Sequence, residues 1–219
     1  MTRFRAVALV VLVLAAPVGV ASAASLSIAT GGLTVVTRTY GPVQTCTLTA
    51  VSDTYVNKAL ATTNFGTGTT LLVNADTTTT ERLLVRFDLT GCSPSIPADA
   101  LVQTAKVQLT VSVAALATRT YDLRRATAAW VETTATWNVQ PAVAATPSAS
   151  TTVTLGTIVG TVVEWTATGD VQSYVTGAAT NLGWRLSDAS EGIALGTPLA
   201  LGSREAATGQ PKLVVTYLP

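Results

Sequence analysis

A strict two-residue alternation constrains this chain more than any other feature. In ERLLVRFDL (81–89), Leu83, Val85, Phe87 and Leu89 fall on one face and Arg82, Leu84, Arg86 and Asp88 on the other. KVQLTVSV (106–113) sets Val107, Leu109, Val111 and Val113 against Lys106, Gln108, Thr110 and Ser112. RTYDLRR (119–125) sets Tyr121 and Leu123 against Asp122 and Arg124. Successive side chains of a strand point to opposite faces, so this period belongs to half-buried antiparallel strands. Further strands are expected near 70–74, 151–155, 161–166, 183–187, 198–203 and 212–217. Gly, Pro and Asn cluster between them, as in Asn64-Phe65-Gly66 and Gly209 to Pro211. Many short strands at this spacing predict an all-β fold, a single-domain jelly-roll β-sandwich over residues 46–219. One short helical turn is expected from Asp170 to Gly177. Asp170 would cap it, Val171, Tyr174 and Val175 would form its apolar face, and Gly177 would stop it.

Composition narrows the chemistry. The 219 residues are enough to bury a sizeable core. Only 11% are charged, against about a quarter in a typical domain. Polarity comes instead from about 40 threonines, β-branched residues that suit the solvent face of a strand. The chain has no histidine, which excludes Ser-His-Asp and Cys-His nucleophile pairs, His-ligated zinc and an imidazole base. Thirteen Lys+Arg against twelve Asp+Glu leave no broad basic surface, so no nucleic-acid partner is expected.

The N-terminus reads as a secretory signal peptide over residues 1–23. Arg3 and Arg5 precede an apolar run from Ala6 to Ala21, and Ala21-Ser22-Ala23 has the A-x-A form of a cleavage site. The run is shorter than the roughly 20 residues a membrane span needs, and it contains Pro17 and Gly19. Cleavage would leave eleven basic and twelve acidic residues, a secreted extracellular protein with no membrane association. Residues 24–45 read as a linker or a lead strand, with a strand at Leu33–Thr39; such a strand could complete a neighbour's sheet. Cys46 and Cys92, an even pair in a secreted chain, are expected to form a disulfide. The closed loop would be worth roughly 3–5 kcal/mol.

Seven segments carry a family resemblance: SDTYVNKALATTNFGTGTTLLV (52–73), ERLLVRFDLTGC (81–92), LVQTAKVQLTV (101–111), AWVETTATWNVQPA (129–142), WTATGDVQSYVTG (165–177), LGWRLSDASE (182–191) and LGSREAATGQPKLVVTY (201–217). Together and in this order they resemble the DNRLRE domain, an extracellular bacterial β-sandwich close to carbohydrate-binding module family 96. The most specific block holds Trp130, Glu132, Thr136, Trp137, Asn138, Gln140 and Pro141; next is the ending Ser203, Arg204, Glu205, Pro211, Leu213, Val215, Tyr217. The resemblance covers about residues 46–217. It implies a non-catalytic module that binds a polysaccharide of the cell wall or environment. The alternative is a structural cell-surface or matrix protein acting through protein contacts.

Candidate ligand-binding residues are Tyr55, Trp130, Glu132, Arg86 and Arg124. Sugars stack on aromatic faces while their hydroxyls bond nearby polar groups. The competing reading puts the tryptophans in the core, with Trp137 pinning a turn and Trp165 and Trp184 filling strand positions. For the arginines it is local ion pairing, Arg204 with Glu205 or Asp188 and Arg86 with Glu132. Asp53, Asp188 and Glu191 are candidates for a structural Ca²⁺ site, since loop carboxylates often hold calcium in secreted sandwiches; turn capping is the alternative. No other cofactor is expected. Glu132 and Glu164 could in principle form a glycosidase carboxylate pair, but no cleft signal accompanies them, so no enzymatic activity is expected.

Overall fold

The structure, a computed structural model, describes residues 40–219 and the backbone of three earlier strands, β1 (Val11–Leu14), β2 (Ser22–Ala29) and β3 (Gly32–Thr39). Most of the expected signal peptide lies outside the described residues. β2 and β3 form an antiparallel hairpin, with β1 along the outer edge of β2. The remaining strands are β4 (Gln44–Asn57), β5 (Thr70–Val73), β6 (Glu81–Phe87), β7 (Leu101–Val113), β8 (Arg119–Arg125), β9 (Ala149–Val153), β10 (Val162–Thr166), β11 (Trp184–Asp188), β12 (Leu199–Gly202) and β13 (Lys212–Leu218). All pair antiparallel; nine lie along one continuous hydrogen-bonded path, and β10 pairs with β7 off it. The expected strands at 70–74, 151–155, 161–166, 183–187, 198–203 and 212–217 are present to within two residues at each end.

The path makes a sandwich because one strand, β4, is long enough to serve both layers. The first half of β4 pairs with β13, from Gln44 to Thr49. A register shift between Ala50 and Ser52 follows, and the second half pairs with β6. Such a bulge re-aims a strand and lets it change sheets. β7 pairs with β13 over its first eight residues and with β12 at Val111 and Val113, while β10 lies on its other edge. The second layer runs β4–β6–β11–β8–β9.

The inner faces meet in one core. Leu48, Leu109, Leu213 and Trp165 come from one layer, and Leu83, Val85, Phe87, Leu123 and Trp184 from the other. The alternation therefore sorts the faces as the sequence requires, except at Val113, which lies exposed where β7 runs out. Trp165 and Trp184 are fully buried and keep their N–H groups bonded, to the Tyr121 carbonyl and to the Asp170 carboxylate. The Cys46–Cys92 disulfide ties β4 to the segment after β6, with both sulfurs buried.

The helix, α1 (Thr168–Val175), begins two residues before the expected Asp170. Asp170 is not its cap: its carboxylate accepts from Trp184 Nε1 at 2.7 Å and from the Ser148 hydroxyl. A buried indole N–H is costly to leave unbonded, and that demand takes the aspartate. Gly177 ends the helix at φ +73°, where a Cβ is disfavoured.

Candidate functional site

The outer face of the second layer is covered by the loop at 126–142. Leu84 and Val56 point outward here and meet Trp130 and Ala135 in a second hydrophobic cluster, with Trp137 and Leu182 partly buried beside it. Trp130 donates its N–H to the Leu182 carbonyl at 2.8 Å and is 7% exposed. It therefore packs the loop onto the sheet and presents no open ring face. Asn64 fastens the same loop from below, donating to the carbonyls of Glu132 and Ala135 at 2.6 and 2.8 Å. Gly66 is required at this contact, because a Cβ there would lie 2.7 Å from the Glu132 carbonyl oxygen. Trp137 stacks under Arg82, whose guanidinium is 4.5 Å from the ring centroid. Gln140 accepts from Arg82 and donates to the Trp137 carbonyl. The W-N-x-Q-P block is thus a device for seating a loop.

Two of the expected metal ligands are held by arginines. Asp188 takes a bidentate pair from Arg119 at 2.6 and 2.7 Å. Glu191 takes one from Arg82 at 2.6 and 2.8 Å. The third, Asp53, stands elsewhere, with Glu132 and Glu205. The three expected ligands are thus divided: Asp188 and Glu191 each follow an arginine fork, a geometry in which planar guanidinium and carboxylate fit, and Asp53 does not.

Asp53 sits at a fork in the sheet. β12 and β13 lie end to end along one edge of β7, and the loop 203–211 bulges out between them. At the same point β4 leaves β13 for β6. Backbone groups that lose a ladder neighbour there are bonded by carboxylates. Asp53 N–H donates to Glu132 Oε1 at 2.8 Å, and Arg204 N–H donates to Asp53 Oδ2 at 2.8 Å. The Arg204 side chain clamps Glu132 through Nε and Nη2 at 2.7 and 2.8 Å, and its Nε lies 2.9 Å from Glu205 Oε1. Of the expected ion pairs, Arg204–Glu205 forms. Arg204–Asp188 and Arg86–Glu132 do not, because Arg119 and Arg204 hold those two carboxylates more directly. Asp53 shares its sheet face with Val85, opposite it in register, and is 1% exposed. Burial first, and then the neighbouring Glu205 and Glu132, push its carboxyl up to about 7 against the pull of Arg204.

The remaining candidates separate. Tyr55 is half-buried and stacks on Phe65 with ring centroids 4.3 Å apart. Arg124 bonds Asp122 at 2.9 Å and the carbonyl of Ala145. Arg185, between Arg82 and Arg124 on the outer face, is held down at about 10, chiefly by burial and then by Arg82. Glu164, on β10, bonds Lys106 and Gln108, both on β7, and Glu132 belongs to the fork, so the two share no partner. Arg86 lines a shallow concavity of about 270 Å³ with Val51, Phe87, Asp88 and Asn181. Its Nη2 donates to Ser52 Oγ at 3.2 Å, and its guanidinium lies 5.8 Å from the Trp130 ring. Asp88 is exposed and kept below the usual carboxylate range by the Thr90 N–H and hydroxyl, with a smaller pull from Arg86.

Asp88 and Glu205 were missed as site residues in the sequence. Asp88 reads there as one polar position in an alternating strand, and only the turn after β6 turns it beside Arg86. Glu205 stood in the quoted S-R-E ending, but nothing in a linear motif places it against Asp53, 152 positions away.

The model of carbohydrate-binding module family 96 matches residues 44–217 of the chain. No curated protein matches it.

Proposed function

Because the chain belongs to carbohydrate-binding module family 96, we propose that it is a secreted, non-catalytic module that holds a polysaccharide of the cell wall or environment at the Arg86–Asp88 concavity. One observation carries the choice of place. A guanidinium and a charged carboxylate border a shallow depression beside the half-exposed Val51. Sugar hydroxyls donate to the carboxylate and accept from the guanidinium, while a C–H face of the ring covers the valine. The opposed charges favour a neutral glycan over a polyanion, since neither sign dominates the depression. The buried disulfide fits an oxidising, extracellular setting. No helix among the described residues is long and apolar enough to cross a membrane.

The test is gel retardation of the full chain in a panel of soluble β-glucan, xylan, mannan and polygalacturonate. Retardation is expected with a neutral member of the panel and is lost in Arg86→Ala and Asp88→Asn. Free migration through every gel would sink the reading; retardation unchanged in both variants would move the site elsewhere.

A second reading rests on the opposite end of the molecule. The turn after β7 and the β9–β10 loop are bonded together, Ala115 N–H to the Thr157 carbonyl and Gly156 N–H to the Ala115 carbonyl. They expose Val113, Leu116, Leu155, Ile158, Val159 and Val162 in a region without a charged side chain. Clustered exposed aliphatics favour protein contacts, the structural role.

A further inference from the structure

We propose that Asp53, Glu132 and Glu205 form a binding site for one divalent cation, Ca²⁺, at the fork where β4 changes sheets. One carboxylate oxygen from each lies within 4.8 Å of the others. Ca²⁺ takes oxygens at about 2.3–2.6 Å, so ligands on opposite sides of it stand up to about 5 Å apart. Mg²⁺, with oxygens at about 2.0–2.1 Å, needs a tighter set. The 4.8 Å limit lies within the span of a Ca²⁺ shell, and Ca²⁺ accepts irregular oxygen sets that Mg²⁺, which demands near-octahedral geometry, does not.

The second observation is independent of the clustering. After every donor at the fork is counted, two buried carboxylate oxygens have no hydrogen-bond partner, Asp53 Oδ1 and Glu205 Oε2. Asp53 is almost wholly buried, and its other oxygen is used by Arg204 N–H. Arg204 occupies both oxygens of Glu132 and one of Glu205, which fixes the geometry of two ligands but supplies one positive charge against three acids. An unpartnered oxygen on a buried carboxylate is costly. A divalent ion satisfies both orphan oxygens and balances the two remaining negative charges. Water completes the coordination, as is usual for Ca²⁺. The site's part is to lock the fork: it would tie β4, the 126–142 loop and the β12–β13 loop to one centre. Asp188 and Glu191, each matched by an arginine, take no part.

The experiment uses the full chain stripped with a chelator and then titrated with CaCl₂ and MgCl₂ by calorimetry, with thermal melting in parallel. One Ca²⁺ per chain is expected, with Kd in the roughly 10⁻⁴–10⁻³ M range of extracellular modules and a raised Tm, and weaker Mg²⁺ binding. Asp53→Asn/Glu205→Gln is expected to weaken Ca²⁺ at least about tenfold. It should stay folded by circular dichroism, since both changes remove charge without removing volume. Glu164→Gln, an exposed acid on β10, is expected to bind as the parent does. Absence of binding heat together with an unchanged Tm at 10 mM Ca²⁺ (about ten times the weakest expected Kd) would overturn the proposal. So would Ca²⁺ binding that persists undiminished in the double variant, or that is lost equally in Glu164→Gln.

Discussion

The strands β6, β8 and β11 of the second layer and the fork beside β4 both gather charged side chains in a chain that has few, yet they balance them differently. Along those strands three acids each have their own arginine: Asp188 with Arg119, Glu191 with Arg82, Asp122 with Arg124. At the fork, three acids share Arg204, and two of their oxygens remain unbonded. Matched pairs tie neighbouring strands and loops together and leave little chemistry over. The unmatched cluster stores electrostatic cost at a place where three segments converge. Charge in this protein is therefore informative through its imbalance, not its presence.

The largest way to break this comparison is to unmatch a matched pair. Arg119→Ala leaves the Asp188 carboxylate, 3% exposed in its side chain, without its partner. A loss of about 3–5 kcal/mol in urea unfolding at pH 7 is expected, and adding Asp188→Asn should recover much of it. A loss under about 1 kcal/mol would mean the matched pairs are no better balanced than the fork.

At the fork the sign reverses. Asp53 titrates at about 7 in the folded chain and near 3.8 when unfolded. The folded state then binds the proton more tightly, so stability in chelator is highest below pH 3.8 on this account and falls as pH rises toward 7. The slope reaches up to about 1.4 kcal/mol per pH unit. Asp53→Asn should flatten that slope and stabilise the chelated protein at pH 8, with little change at pH 4. Melting curves across pH 4–8 measure it; an Asn variant with the parent's slope would show that other groups carry the dependence.

The smallest effect sharpens the contrast by exposure. Lys106 and Glu164 pair across β7 and β10, with side chains 46% and 37% exposed. Lys106→Ala is expected to change stability by about 0.5 kcal/mol or less, and less again in 0.5 M salt (a Debye length of roughly 4–5 Å).

The sorting of faces was legible in the sequence because it depends only on neighbours two apart. Leu83, Val85 and Phe87 reach the core, and Leu84, on the opposite face, finds its own cluster under the loop. The Cys46–Cys92 pair and the core positions of Trp165 and Trp184 followed from residue type and context. The helix boundary was displaced because Asp170, an apt cap by local chemistry, answers a buried Trp184 N–H fourteen residues away. Trp130 as a sugar platform and Asp188 with Glu191 beside Asp53 were not realised, because each depends on which distant group arrives first: Leu182 for Trp130, Arg119 for Asp188, Arg82 for Glu191.

By itself the sequence determined the all-β alternation, the disulfide partners, the absence of imidazole chemistry and a family motif running through nearly the whole described domain. These are properties of composition and of short-range periodicity, and each is decided within a few residues of chain. The partners of the charges were decided only in three dimensions. β4 had to change sheets before Asp53 could meet Glu132 from one loop and Glu205 from another, 79 and 152 positions along the chain. Coulombic and hydrogen-bonding energies act over a few ångströms, and the sequence carries no measure of which carboxylates the fold will bring within that distance.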